Sequence, residues 1–95
     1  MRTVKIKFLS LLKDLIGSEE IELSIPENST IKELLEELNS QYGEKFKDIL
    51  YEKPNKLNKG ILIGLNGKNI RDIDNLDTKI EAEDEITFMP AIAGG

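Results

Sequence analysis

The two segments with the clearest alternation of apolar and polar residues lie at opposite ends of this 95-residue chain. Near the start, Val4, Ile6 and Phe8 alternate with lysines. Near the end, Ile86 and Phe88 alternate with polar residues. A period of two is typical of a strand with one buried face. We therefore expect the last strand to lie beside the first, parallel to it and in the centre of one sheet.

One strong amphipathic helix lies between these strands. Thr30 and Glu33 have the spacing of a capping box, in which each side chain bonds to the other residue's backbone amide. Gly43 is a suitable helix end. The apolar residues recur at helical spacing on one face and are Ile31, Leu34, Leu35, Leu38 and Tyr42. This pattern predicts a helix from Thr30 to Gly43 that covers one face of the sheet.

The remaining elements are shorter. A helix over residues 11–16 is predicted, with Ser10 as its cap and Gly17 as its end. Strands are predicted over 20–25 and 61–65, and Asn66-Gly67 favours a tight turn into a short return strand at 69–71. Residues 44–59 are interpreted as an irregular surface insertion with its own small apolar patch, in which Phe46, Ile49 and Leu50 suggest one amphipathic turn or short helix. The predicted fold class is α+β, with a mixed sheet of four to five strands and one main helix, in a single domain over 1–95.

Composition argues against several classes of function. The chain has no cysteine and no histidine, so we expect no autonomous active site and no bound metal. The net charge of −5 disfavours nucleic-acid binding. No apolar run reaches the length of a membrane span, and no signal peptide is evident, so we expect a cytoplasmic protein without membrane contact. An acidic stretch over 72–85 is interpreted as a solvated turn region, although oxygen ligands can also hold a cation.

The last strand is followed, after a few residues, by Gly94-Gly95. Two glycines form a thin, flexible arm with a free carboxylate, which suits threading into a partner's tunnel. A frayed terminus is an equal alternative on these two residues alone. Leu62 and Met89 fall on the face of their strands opposite Ile63 and Phe88. They either form an apolar docking patch beside the arm or pack beneath other residues.

Three segments together resemble a known family, the small-subunit sulfur carriers of molybdopterin synthase within the ubiquitin-like MoaD/ThiS group. Residues 26–38 resemble that family's first-helix region, and residues 61–67 resemble its apolar strand ending in Asn-Gly. Residues 84–95 read Asp-Glu-Ile-Thr-Phe-Met-Pro-Ala-Ile-Ala-Gly-Gly. This stretch is similar to the family's closing signature and is the most specific of the three matches.

The resemblance implies a β-grasp fold and a sulfur-carrying role. The Gly95 carboxylate, preceded by Gly94, would be adenylated by an ATP-using activating enzyme and converted to a thiocarboxylate. The tail over 91–95 would then enter the large synthase subunit and deliver sulfur to a pterin precursor for molybdenum or tungsten cofactor. The chain would act as a non-catalytic subunit with no cofactor of its own. Partner contacts are expected at Leu62, Phe88, Met89, Pro90, Ile92 and Ala93.

Three other functions stay open at the level of sequence. One is a ubiquitin-like modifier joined through Gly95 to lysines of target proteins. Another is the sulfur carrier of the thiazole pathway, which usually has no room for the 44–59 insertion. The last is a β-grasp binding module with an inert tail.

Overall fold

A computed structural model of the chain describes residues 2–9, 11–53 and 56–90. Its helices and strands are β1 (Arg2–Phe8), α1 (Leu11–Ile16), β2 (Glu20–Ile25), α2 (Ile31–Tyr42), α3 (Glu44–Leu50), β3 (Tyr51–Lys53), β4 (Lys56–Leu57), β5 (Ile61–Leu65), β6 (Lys68–Asn69) and β7 (Glu85–Pro90). Two 3-10 helices, Ile70–Asp72 and Asn75–Asp77, lie between β6 and β7. Five strands form one sheet in the order β2-β1-β7-β5-β6, while β3 and β4 form a separate pair.

The last strand occupies the centre of the main sheet. β7 runs parallel to β1, with Phe88 opposite Phe8, and antiparallel to β5, with Phe88 opposite Ile63. β2 pairs with the outer edge of β1 in an antiparallel ladder. This arrangement confirms the prediction drawn from the two alternating segments. It buries the core-facing side chains of both strands under the helices, with Ile6, Phe8, Ile86 and Phe88 at 0% exposure.

The main helix begins and ends where its sequence indicates. The Glu33 amide donates to Thr30 Oγ1 at 3.4 Å, and the Thr30 amide donates to Glu33 Oε1 at 3.0 Å, which completes the capping box. Gly43 follows α2 with a φ of 82°, a region that favours glycine. Tyr42 is half-buried, and the other four apolar residues of this face are buried, namely Ile31, Leu34, Leu35 and Leu38.

The segment after α2 contains the short helix that its apolar residues suggested, but the helix does not lie where the sequence interpretation placed it. Residues 44–50 form a regular helix, and its Phe46 and Leu50 are fully buried in the same hydrophobic core as the sheet. The Phe46 ring lies 6.3 Å from Phe8 and 6.2 Å from Phe88, measured between centroids. The helix is therefore part of the main core and not a surface insertion with a separate patch. The sequence shows that residues 46, 49 and 50 are apolar but not where they pack.

The turn after β5 forms as predicted, but the return strand is displaced. Asn66 and Gly67 have φ values of 52° and 87°, the two positive angles of a type I′ hairpin turn. β6 covers Lys68–Asn69 in place of the expected 69–71, because the chain turns into a 3-10 helix at Ile70 and buries that side chain. The proposed cap Ser10 lies outside the described residues. Within the described ranges, no helix is both long and apolar enough to cross a membrane.

Candidate functional site at the end of the central strand

The end of β7 is held by hydrogen bonds and strand pairing on both sides. The Leu9 amide donates to the Phe88 carbonyl at 3.0 Å on the β1 side. On the β5 side, Met89 lies opposite Leu62 and Pro90 lies opposite Ile61. The chain beyond Pro90 therefore starts from a fixed position in the middle of the sheet. Proline contributes no amide to the ladder, which suits the last residue of a strand.

Phe88 provides the apolar support beneath this strand end. Its ring stacks on Phe8 at a centroid distance of 5.3 Å and lies 6.2 Å from Phe46, and its exposure is 0%. We expected a partner contact at Phe88, but this side chain is not accessible in the folded protein. The alternation that places Met89 on the outer face places Phe88 in the core.

The outer face of the sheet is apolar near the strand end. Leu62 and Met89 are neighbours across the β5–β7 ladder, and both are half-buried. Leu9, also half-buried, continues the register of β1 beside Met89. These three residues are called the outer apolar row below. The sequence left open whether Leu62 and Met89 are exposed, and the structure shows that each keeps part of its surface in contact with solvent.

Further from the strand end, the same face becomes charged. Lys7 Nζ lies 3.5 Å from a Glu85 carboxylate oxygen, and Lys5 Nζ lies 4.0 Å from one of Glu20. All four side chains are between 40% and 46% exposed, so these pairs contribute little to stability. Their effect is to make the outer face polar everywhere except at the end where β7 leaves the sheet.

A polar network fixes the opposite end of β7. Asp84 is buried, and its carboxylate accepts from Asn66 Nδ2 at 2.9 Å and from the Glu81 amide at 2.7 Å. Asn66 Oδ1 in turn accepts from the Glu85 amide at 2.9 Å. The interpretation of Asp84 as part of a solvated turn is therefore wrong. The sequence signal was the Asn66-Gly67 turn, but only the pairing of β5 with β7 brings Asn66 to Asp84.

Across residues 2–9, 11–53 and 56–90, no cluster of three or more acidic side chains is placed to hold a metal ion. Burial raises the pKa of the Tyr51 phenol above its usual value of 10.0; the nearby Asn39 side chain acts in the opposite direction, and the charge of Glu36 adds to the increase. This tyrosine lies between α2 and α3, in a groove separate from the end of β7.

The predicted site residues divide into three groups. Leu62, Met89 and Pro90 lie together at the strand end, and their contact with a partner stays a prediction. Phe88 is beneath them in the core. Ile92, Ala93, Gly94 and Gly95 lie outside the described residues, so their roles stay predictions.

Comparisons with known proteins agree with this architecture. The model of the ThiS family matches residues 6–95. A candidate sulfur carrier protein of Archaeoglobus fulgidus is 32% identical over 69 residues, which cover 73% of this chain and 77% of the relative. The solution structure of small archaeal modifier protein 1 from Methanosarcina acetivorans superposes with a TM-score of 0.84. The two sequences are 31% identical, and the match covers 100% of this chain and 98% of the Methanosarcina acetivorans chain.

A further structural neighbour comes from Pyrococcus furiosus and is named as candidate subunit 1 of a molybdopterin converting factor. Its TM-score is 0.78 at 23% identity, and the match covers 97% of this chain and 100% of the Pyrococcus furiosus chain. Identity this low supports the shared fold alone. The fold is the ubiquitin-like β-grasp, with five strands in one mixed sheet and helices across one face.

Proposed function

This chain belongs to the ThiS family, and we propose that it carries sulfur as a thiocarboxylate on Gly95 for the synthesis of molybdenum or tungsten cofactor. The family comprises ubiquitin-like sulfur carriers and modifiers. The choice of the pterin pathway is supported by the resemblance of residues 84–95 to the closing signature of the small subunits of molybdopterin synthase.

The proposed reaction begins with a partner enzyme and ATP. The Gly95 carboxylate attacks the α-phosphorus, pyrophosphate leaves, and an acyl adenylate forms. A hydrosulfide ion then attacks the acyl carbon, and AMP leaves with the electron pair of the broken C–O bond. The resulting thiocarboxylic acid releases its S–H proton and becomes the thiocarboxylate. In the last step the thiocarboxylate sulfur attacks a carbon of the pterin precursor, and an oxygen-linked group leaves that carbon with the bonding electron pair. Water then hydrolyses the acyl C–S bond of the resulting thioester, so that the sulfur stays on the pterin as a thiolate. The carboxylate is thereby regenerated, and no side chain of this protein need act as acid or base.

The observation that carries the proposal is the fixed end of β7. One hydrogen bond from the Leu9 amide to the Phe88 carbonyl and pairing with Ile61 and Leu62 hold the chain as far as Pro90. Residues 91–95 connect Pro90 to the proposed site at Gly95. Fully extended, they span at most roughly 18 Å, since each residue adds about 3.3–3.6 Å. A partner that binds the sheet beside Pro90 therefore holds Gly95 within a small, defined volume.

The outer apolar row supplies a contact for such a partner. Leu62, Met89 and Leu9 lie beside the strand end, on a face that is otherwise polar. Partly exposed apolar side chains grouped at one place are typical of protein–protein contacts. We propose that both the large synthase subunit and the activating enzyme bind here, since each needs the tail in its own active site.

Intact mass spectrometry of protein purified from its native host tests the proposal. We expect a fraction of the molecules to carry sulfur in place of one oxygen, located at Gly95 by fragmentation. A variant extended past Gly95 should never acquire this mass increase, because its Gly95 carbonyl is part of a peptide bond.

The matched control is an extension that a specific protease removes immediately after Gly95. Incubation with the activating enzyme, ATP and sulfide should give thiocarboxylate only after cleavage. Sulfur on the uncleaved protein, or normal cofactor content in cells that make only the extended protein, would show that the proposed site is wrong.

A second candidate function is a protein modifier. It is favoured by the similarity over the whole chain to the Methanosarcina acetivorans small archaeal modifier protein 1. The same adenylate would then react with a lysine amine of a target protein, with loss of AMP, to form an amide. Proteomics of the host distinguishes the two, because a modifier leaves a Gly-Gly remnant on target lysines after suitable proteolysis. Such remnants without any thiocarboxylate would favour the modifier.

A further inference from the structure

A pocket of about 490 Å³, which shares no lining residue with the outer apolar row, lies between β4 and the two 3-10 helices. Its lining residues are Lys56, Leu57, Lys59, Arg71, Asn75 and Leu76. We propose that this basic pocket binds an acidic peptide segment of a partner protein. The proposal goes beyond sulfur transfer, because it requires no reaction at Gly95.

The pocket is positively charged, whereas the whole chain has a net negative charge. Lys56, Lys59 and Arg71 make up half of its lining, all three are exposed, and none of the lining residues is a carboxylate. The protein as a whole has 18 acidic and 13 basic residues. Three cations that converge on one concave surface of an acidic protein favour an anionic ligand by charge complementarity.

One carboxylate does contact a cation of the pocket. Glu52 lies 3.7 Å from Lys56 Nζ, and the two side chains are 40% and 51% exposed. An exposed pair of this kind is weak and is readily exchanged for another carboxylate. The acidic residues of the 3-10 segment, among them Asp72 and Asp77, are exposed but are not part of the lining.

The apolar residues of the pocket favour a peptide over a small anion. Leu57 and Leu76 are half-buried, and both pack against the hydrophobic core from the pocket side. Inorganic phosphate would use only the cations. An acidic peptide with one aliphatic side chain would use the cations for its carboxylates and the two leucines for its apolar group.

The pocket also lies close to the place where β7 leaves the sheet. Lys59 is two residues before Ile61, which pairs with Pro90, and the Ile61 amide donates to the Asn58 carbonyl at 3.0 Å. A partner that holds the chain beyond Pro90 therefore has this pocket within reach. An acidic segment of that partner would add a second contact and set its orientation on the protein.

Titration of the isotope-labelled full chain by NMR tests the pocket directly. The probe is the capped peptide Glu-Asp-Leu-Asp-Glu, and the neutral peptide Gln-Asn-Leu-Asn-Gln is its control. We expect the acidic peptide to shift the amides of residues 56–59 and 70–76. The shifts should weaken as salt rises from about 0.01 M to about 0.1 M, where the screening length falls from ~30 Å to ~10 Å.

Matched charge variants decide whether the pocket itself is responsible. A triple variant with Lys56→Gln, Lys59→Gln and Arg71→Gln should bind the acidic peptide between roughly threefold and roughly a hundredfold more weakly. Each exposed ion pair contributes a factor of roughly 1.5 to 5. The control makes the same change in net charge at three exposed lysines elsewhere, with Lys13→Gln, Lys45→Gln and Lys79→Gln, and should bind within about twofold of the natural protein.

Three results would overturn the proposal. The first is the absence of shifts at the pocket residues. The second is an equal loss of binding in both triple variants, which would indicate a general effect of net charge. The third is equally tight binding of inorganic phosphate at the same residues, which would indicate a small-anion site. None of these results bears on the thiocarboxylate at Gly95, so the two proposals fail independently.

Discussion

Replacement of Phe46 by alanine tests whether α3 belongs to the main core. Phe46 is fully buried, and its ring lies between those of Phe8, Tyr42 and Phe88 at centroid distances of 6.2–6.3 Å. The contact with Phe8 is edge-to-face, at an interplanar angle of 88°. This ring therefore joins the helix to the two central strands of the sheet.

The expected loss of stability is large for a domain of this size. Replacement of a buried phenylalanine by alanine costs about 3–5 kcal/mol, from lost burial and from the cavity left behind. A small domain has a total free energy of unfolding of only about 5–15 kcal/mol. For 60–100 residues each kcal/mol shifts Tm by about 4–8 °C, so we expect Tm to fall by at least about 12 °C.

Urea unfolding followed by far-UV circular dichroism measures the difference. Lys45→Ala, at an exposed position in the same helix, is the control and should change the free energy of unfolding by less than about 0.5 kcal/mol. Phe46→Leu provides a milder variant, with an expected cost of about 1–2 kcal/mol, should the alanine variant be unfolded. A cost below about 1.5 kcal/mol for Phe46→Ala, with an unchanged m-value, would refute the assignment of α3 to the core.

Two further predictions concern the polar groups. Asp84→Ala removes the acceptor of two hydrogen bonds, including that from Asn66, and should lower the free energy of unfolding, measured in urea, by about 1–3 kcal/mol. Asp77→Ala, at an exposed position, is the control. An equal loss of stability in the two variants would contradict a buried structural role for Asp84. Burial raises the pKa of the Tyr51 phenol above its usual value of 10.0. Well below that pH the phenol is neutral in both the folded and the unfolded protein, and as the pH rises the phenol of the unfolded chain ionises first. The free energy of unfolding should therefore fall more steeply above about pH 10 for the natural protein than for Tyr51→Phe, and parallel curves would show that the pKa of the folded protein is not raised.

Most of the sheet and its main helix could be predicted because their signals are local. The alternation around Phe8 and Phe88 and the capping box at Thr30 lie within a few residues of sequence. The neighbouring position of β1 and β7 followed from their similar apolar faces, and the structure confirms it. The position of the candidate site followed from the same alternation, which places Met89 on the outer face.

The errors arose where a residue's environment depends on distant parts of the chain. Phe46 reads as part of an irregular insertion until it is placed against Phe8, which is 38 positions earlier in the sequence. In the sequence, Asp84 cannot be told apart from the other acidic residues of its stretch. The structure distinguishes it, because the fold brings Asn66 within hydrogen-bond distance of its carboxylate. Short segments carry too few residues for a period to show which face is buried, and polar contacts between separate turns leave no period at all.

The sequence by itself determined four strands of the main sheet and the main helix, because backbone preference and apolar period are properties of neighbouring residues. The family was indicated by the resemblance of residues 26–38, 61–67 and 84–95 to known segments. Only the tertiary structure decided that α3 completes the core, that Phe88 is inaccessible to partners, and that Lys56, Lys59 and Arg71 meet in one pocket. Each of these depends on contacts between elements far apart in the chain. Such contacts form only when the sheet is assembled and its apolar face is covered.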